Sequence, residues 1–164
     1  MVKTKQTFFF SEVESPVGQL LLLGDGSALK GLYMTEQKHR PPLPEGCQRS
    51  DKPFRAIREQ LRAYFAGKLQ DFDVRLAGEG SPFQEQVWRA LLEIPFGETE
   101  SYGSLARRIG NDKASRAVGL ANGRNPIGII VPCHRVVGAN GSLTGYGGGV
   151  ARKRWLLDHE RRFA

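Results

Sequence analysis

Gly78-Glu79-Gly80 divides two kinds of sequence. Before it the apolar residues come in short strand-like runs broken by turn signals, with one stretch at helical spacing at about 51 to 66, and after it they recur mostly at helical intervals. A run of short strands with one helix and a run of helices point to two differently built parts. Ser81-Pro82-Phe83-Gln84 follows at once, with an N-cap, a proline for the first turn and a glutamine at the capping-box position. The glycines read as a linker, and the expected organisation is a support domain over 1–79 and a second domain over 80–164. At 164 residues the chain has room for one ordinary domain or two small ones.

In the first half, Thr7 to Phe10, Gln19 to Leu23 and Ala28 to Met34 are strand-like, separated by Pro16-Val17-Gly18 and Gly24-Asp25-Gly26. This predicts a small antiparallel sheet. Residues 38 to 50 carry Pro41, Pro42, Pro44 and Gly46 and read as a loop, with Cys47 incidental to it. A helix from about Asp51 to Ala66, with Phe54, Ile57, Leu61, Tyr64 and Phe65 at helical spacing and Gly67 as its stop, is expected to cover one sheet face. The second half is mostly helical. One helix carries Phe83, Val87, Trp88, Leu91 and Leu92, a second runs from about Ser101 to Ile109, a third from Ala114 to Asn122, and the last from about Val150 to Arg162. The fold class is therefore α+β.

Cys133 and His134 stand side by side after Pro132, at the end of the apolar run Ile129-Ile130-Val131. That run reads as a buried strand or a tightly packed segment, and Pro132 cannot continue a hydrogen-bonded ladder, so Cys133 lies where regular structure stops. A thiol attacks as thiolate, and a neighbouring imidazole and cation, here His134 and Arg135, can lower its pKa. Against this, a free cysteine is among the most buried residue types and often only packs. Both readings stand on local sequence alone.

The second half is also the more basic: residues 1 to 80 hold 12 Lys and Arg against 10 Asp and Glu (+2), and residues 81 to 164 hold 12 against 7 (+5), within a total of +7. Basic, glycine-rich surface suits a polyanion, although it is also ordinary solvated surface. No stretch reaches the ~20 apolar residues of a membrane span, and the N-terminus has no signal-peptide core, so a cytoplasmic protein is expected. Two cysteines far apart and His39, His134 and His159 without ligand spacing predict neither disulfide nor zinc site.

The helices at 101–109 and 114–122, joined by a turn with Gly110, form a helix-turn-helix candidate. Its second helix offers Ala114, Ser115, Ala117, Gly119 and Ala121 with Arg116 as the one long side chain, which fits a narrow minor groove better than base reading in the major groove. The same small residues would equally permit close helix packing.

Taken in order, Arg116-Ala117-Val118-Gly119, Asn125-Pro126, Pro132-Cys133-His134-Arg135-Val136, Gly145-Tyr146-Gly147-Gly148-Gly149 and Leu156-Leu157-Asp158-His159-Glu160 closely resemble the O6-alkylguanine-DNA alkyltransferases. The resemblance covers nearly all of residues 81 to 164 and implies a ribonuclease-H-like fold for the first domain. It implies irreversible, single-turnover transfer of an alkyl group from O6-alkylguanine, and from O4-alkylthymine, in duplex DNA to Cys133 after base flipping. On that pattern His134 takes the thiol proton through water, Glu160 orients His134, and Asn125 ties the recognition helix to the active-site segment. Tyr102 binds the guanine and the flipped phosphate, and Arg116 fills the space left by the base. Ala114, Ser115, Ala117 and Gly119 line the DNA face, and Val136, Tyr146, Gly147, Gly148 and Lys153 line the guanine pocket.

Glycine at 147, where several relatives carry serine or alanine, and Gly128, where some carry proline, imply a wider pocket. No cofactor or metal is implied, and the protein is expected to be a monomer in solution with cooperativity on DNA left open. A non-catalytic lesion binder and a cysteine hydrolase are the competing functions, the first disfavoured by the presence of Cys133.

Overall fold

The structure, a computed structural model, describes residues 6–164. In the first half, β1 (Phe9–Val13), β2 (Leu20–Gly24), β3 (Leu29–Met34) and β4 (Gln48–Arg49) form one sheet in the order β3-β2-β1-β4. The β1–β2 and β2–β3 pairs are antiparallel, with Val13 opposite Leu20 and Leu20 opposite Met34. β4 corrects the sequence expectation twice, because it pairs parallel with β1 and lies inside the segment read as loop. Its N–H groups are free beyond the prolines, so Gln48 and Ser50 donate to the carbonyls of Phe8 and Phe10, both at 3.0 Å. β1 also runs past its expected end through Ser11 and Glu12. Buried Ser11 bonds to Asp51 (2.5 Å) and accepts from Arg58 (3.0 Å), so a polar residue occupies the strand without an unmet donor.

A short 3-10 turn (Lys52–Phe54) leads into α1 (Arg55–Phe65), whose Ile57, Leu61 and Tyr64, with Phe54, cover Leu20, Leu22, Leu29 and Leu32. Burying each such side chain contributes about 1.5–3 kcal/mol, enough in sum to decide which sheet face is covered. Gly67 stops the helix in the left-handed region at φ 77°, as its position predicts.

The second half contains α2 (Pro82–Leu91), α3 (Tyr102–Arg108), α4 (Ser115–Gly123) and α5 (Val150–Phe163). The capping box forms as read: Gln84 N–H donates to Ser81 Oγ (3.2 Å), and the Gln84 amide oxygen accepts from Ser81 N–H (3.0 Å). α3 and α4 make the helix-turn-helix. Two short strands that the sequence pattern did not reveal, β5 (Glu100–Ser101) and β6 (Val136–Val137), pair parallel and bring the start of α3 beside the segment after Cys133. At two residues each they are too short to show a period.

The halves share one hydrophobic cluster rather than keeping separate cores. The outer edge of β3 is shared: Leu29 bridges Leu76 of the first half, and Leu32 bridges Ile127 of the second, donating to Pro126 O (2.9 Å) and accepting from Gly128 N–H (3.1 Å). The edge thus anchors the segment that leads to Cys133. Among the described residues no helix is long and apolar enough to cross a membrane.

Candidate active site

Ile129-Ile130-Val131 is a packed turn, not a strand. Ile129 has φ 68°, a left-handed conformation that costs a β-branched residue roughly 1–3 kcal/mol. The surroundings impose it: Ile130 N–H bonds to Gly128 O (2.7 Å), Val131 N–H to Ile127 O (3.1 Å), and the Asn125 amide donates to Val131 O (2.8 Å) and Ile127 O (3.3 Å). The chain then enters a single 3-10 turn, Cys133–Arg135. Asn122, on the inner face of α4, donates to Cys133 O at 3.2 Å. Asn122 was not read as a site residue. It sits at the buried stripe of Val118, Ala121 and Asn122, and a polar residue on an otherwise apolar stripe is the signal that could have found it.

Cys133 is 6% exposed. Burial pushes its thiol up, and the Asn125 side chain, the Lys153 ammonium and the backbone N–H groups of Cys133 and His134 only partly offset that. The expected lowering by His134 and Arg135 is therefore corrected. Arg135 turns away, giving Nη1 to Ile94 O (2.6 Å) and Nε and Nη2 to Glu160, with its guanidinium over Phe96. The cation acting on the sulfur is Lys153, fully buried, bonded to Val136 O (2.5 Å) and Thr144 O (3.0 Å). Burial lowers its pKa to about 8, and the nearby Cys133 pulls the other way.

Glu160 is fully buried at the centre of this region. Burial alone would raise its pKa, but hydrogen bonds and charge from His134 and Arg135 hold it well below the ordinary carboxylate range. An ionised carboxylate only accepts, so the 2.7 Å contact between Glu160 Oε2 and His134 Nε2 makes Nε2 the donor. Burial in turn lowers the His134 pKa and keeps the ring neutral. The remaining nitrogen, Nδ1, is thus an unprotonated acceptor, and it is buried with no hydrogen-bond partner. A cysteine followed directly by an imidazole that a carboxylate orients is a combination that suits an activated nucleophile.

Tyr102, at the start of α3, is half-buried and donates to Thr144 O at 2.8 Å. Its ring lies on α4 at Gly119, where a Cβ would stand at an ordinary 3.7 Å, and the Lys153 ammonium sits 5.8 Å from its centroid. In the glycine loop, Tyr146 is buried with its hydroxyl toward the Met34 sulfur. A Cβ at Gly148 would lie 2.5 Å from that sulfur and 2.8 Å from the Tyr146 ring, so only glycine fits. A Cβ at Gly147 would meet Gln37 and Gly123 O at 3.5 and 3.6 Å. Gly147 lines a groove of 790 Å³ between residues 36–39, α4 and the start of α5. Gly128 has a backbone role, since proline there would lack the N–H that Leu32 accepts.

On α4, Arg116 and Ala117 are exposed and Ser115 and Gly119 half-exposed, as expected. Ala114 is the N-cap residue of α4 and its side chain is buried, 8% exposed, in the core rather than on the exposed face. Leu120, 70% exposed, stands on this face as a large apolar side chain among the small ones. Among the described residues no group of three or more His, Cys, Asp and Glu is placed to hold a metal ion.

Two family models match the chain: the 6-O-methylguanine DNA methyltransferase DNA binding domain over residues 82–162 and the ribonuclease-like domain of the same enzyme over residues 8–77. The chain belongs to the 6-O-methylguanine DNA methyltransferase family. Among its members, a methylated-DNA–protein-cysteine methyltransferase of Methanosarcina acetivorans is 54% identical over 152 residues, 93% of this chain and 97% of that one. The Mycobacterium tuberculosis protein of the same name is also 54% identical, over 93% and 92%. The crystal structure of Mycobacterium tuberculosis OGT in complex with DNA superposes with TM-score 0.89 at 53% identity, covering 95% of this chain and 94% of that one. The 6-O-methylguanine DNA methyltransferase from Pyrococcus kodakaraensis keeps the fold at 26% identity, TM-score 0.67, over 93% and 98%.

Proposed function

We propose that this chain repairs alkylated DNA by direct reversal, moving the alkyl group of O6-alkylguanine, and of O4-alkylthymine, irreversibly to Cys133. The observation that carries the reading is His134: its Nε2 is committed to ionised Glu160, which leaves Nδ1 as a buried, unpartnered acceptor on the residue that follows Cys133. Nδ1 takes the thiol proton, through a water on the family pattern, and the thiolate forms a bond to the alkyl carbon. The carbon–O6 bond breaks, and its electron pair leaves on the guanine, where the Tyr102 hydroxyl and the Lys153 ammonium meet the developing charge. Displacement at saturated carbon forms no tetrahedral oxyanion, so no oxyanion hole is required. Because the thioether does not revert, each chain reacts once.

The substrate is duplex DNA entered from the minor groove by α4, with Ser115, Ala117 and Gly119 close to the backbone and Arg116 replacing the flipped base. Flipping costs a few kcal/mol, less at a weakly paired lesion. Val136, Tyr146, Gly147 and Gly148 line the guanine pocket, and Asn125 positions the segment that carries the sulfur. Residues 1–79 support residues 80–164, and the protein acts in the cytoplasm as a monomer.

Intact mass after exposure to a duplex oligonucleotide bearing labelled O6-methylguanine tests this. One label per chain is expected, with none on the Cys133→Ser variant. An unchanged mass would favour a lesion binder, and label released with continued turnover would favour a hydrolase.

A further inference from the structure

Glu160 draws one donor from the other half of the chain. Tyr64, on α1 and fully buried, gives its hydroxyl to Glu160 Oε2 at 2.6 Å, across 96 positions of sequence. The same oxygen receives His134 Nε2 (2.7 Å) and Arg135 Nη2 (3.0 Å), while Oε1 receives Arg135 Nε (2.8 Å) and Gly97 N–H (3.3 Å). Five donors thus fill a group with about four lone-pair sites, and Tyr64 and His134 share one oxygen. Tyr64 also holds α5 at the preceding residue, its backbone carbonyl accepting His159 Nε2 at 2.7 Å. Its ring is fixed among Phe65, Phe72, Phe96 and His159, with centroids 5.1–6.0 Å away.

We propose that Tyr64 is a positioning residue for alkyl transfer: its hydroxyl sets where Glu160 Oε2 sits and how strongly that oxygen draws on His134, so the first half of the chain tunes the base of the second. The proposal rests on the function assigned above. A neutral donor suits the role. It occupies a lone pair without adding a charge, so Glu160 stays ionised while its pull on the imidazole is moderated. Remove the hydroxyl and Oε2 has one donor fewer. The uncompensated charge then stabilises imidazolium, His134 holds its proton to higher pH, and the fraction of chains with a free base at Nδ1 falls.

The other groups facing this pair are Arg135 and Lys153, both disfavouring imidazolium, with Tyr146 and Cys133 on the pocket side and His159 behind Tyr64. None is altered by a change confined to the Tyr64 hydroxyl.

The test is the single-turnover rate of methyl transfer from a duplex oligonucleotide, followed from pH 5.5 to 9 for the wild-type chain and Tyr64→Phe. Losing one hydrogen bond to a charged group should move the acid limb up by about half to one pH unit, which slows transfer on that limb by roughly 3- to 10-fold. Replacing Tyr64 by 3-fluorotyrosine, a stronger donor of nearly equal shape, should move the limb the other way, and it supplies the answer if Tyr64→Phe does not fold. Opposite displacements of the limb support the proposal. Superimposable profiles in an active protein overturn it, as does a uniform loss of rate with the limb unmoved, which marks a purely structural tyrosine. A wild-type chain that accepts no methyl group overturns the assigned function instead.

Discussion

Leu120 on the outer face of α4 is 70% exposed, flanked by exposed Arg116 and Ala117, while Glu160 on α5 is fully buried and held by five donors from three separate stretches of chain. The first region makes almost no demand on the rest of the fold. The second exists only because α1, the turn after α2 at Gly97, the Cys133 turn and α5 converge. A recognition surface can be written on one helix, whereas a buried charge must be surrounded, since an uncompensated ion in the interior is costly. Substitutions on α4 should therefore change binding with little effect on stability, and substitutions around Glu160 should change both.

The largest effect is expected at Glu160→Ala, which strands buried Arg135 and leaves His134 and Tyr64 without an acceptor. Breaking a buried pair in this way costs about 3–5 kcal/mol, measurable by urea denaturation, and a loss under about 1 kcal/mol would show that the cluster is not coupled to the fold. The wild-type chain should carry the same signature in its pH dependence. Glu160 is held low in the native state, so as pH falls through about 4.5 the unfolded chain takes up a proton that the native one refuses. His134 is also lowered, so the unfolded chain binds its proton below about pH 6.5 while the native chain stays neutral there. Both signs agree: stability should begin to fall near pH 6.5 and drop more steeply below about 4.5. An unchanged urea midpoint between pH 7 and 5 would contradict the His134 part.

Next comes Arg116→Ala. On the proposed function, in which Arg116 replaces the flipped base, its loss should slow repair in duplex DNA by roughly 10- to 100-fold, the scale of a few kcal/mol of unstacking. Reaction with free O6-benzylguanine and the unfolding free energy, within about 0.5 kcal/mol, should be unchanged. Equal losses on both substrates would remove Arg116 from base extrusion.

Neighbouring glycines give the smallest and sharpest contrast. Gly148→Ala collides with Met34 and Tyr146 and should cost about 1–3 kcal/mol, whereas Gly147→Ala meets only ordinary contacts and should stay within about 0.5 kcal/mol. Similar thermal shifts for the two variants would mean that the loop moves freely against β3.

The helices were legible because their signals are local: an N-cap with its capping box at Ser81, a glycine stop at Gly67, and apolar residues at helical spacing. β4 and the β5–β6 pair were not, since two-residue strands carry no period and form only where another edge is offered. At the site, adjacency in sequence misled at Arg135, which looked like a partner of Cys133 and is a partner of Glu160. Lys153, 20 positions further on, is the cation that influences the sulfur.

The order of side chains alone determined the β-to-helix division, the family pattern and the cysteine at its centre, because each is written in neighbouring residues. Only the tertiary structure decided that the sulfur is buried, that one ring nitrogen of His134 is bound to Glu160 and the other has no partner, and that Tyr64 from the other half completes the carboxylate's shell. Desolvation and hydrogen-bond partnership depend on what surrounds a group in space, and nothing in the sequence around Glu160 names a tyrosine 96 positions away.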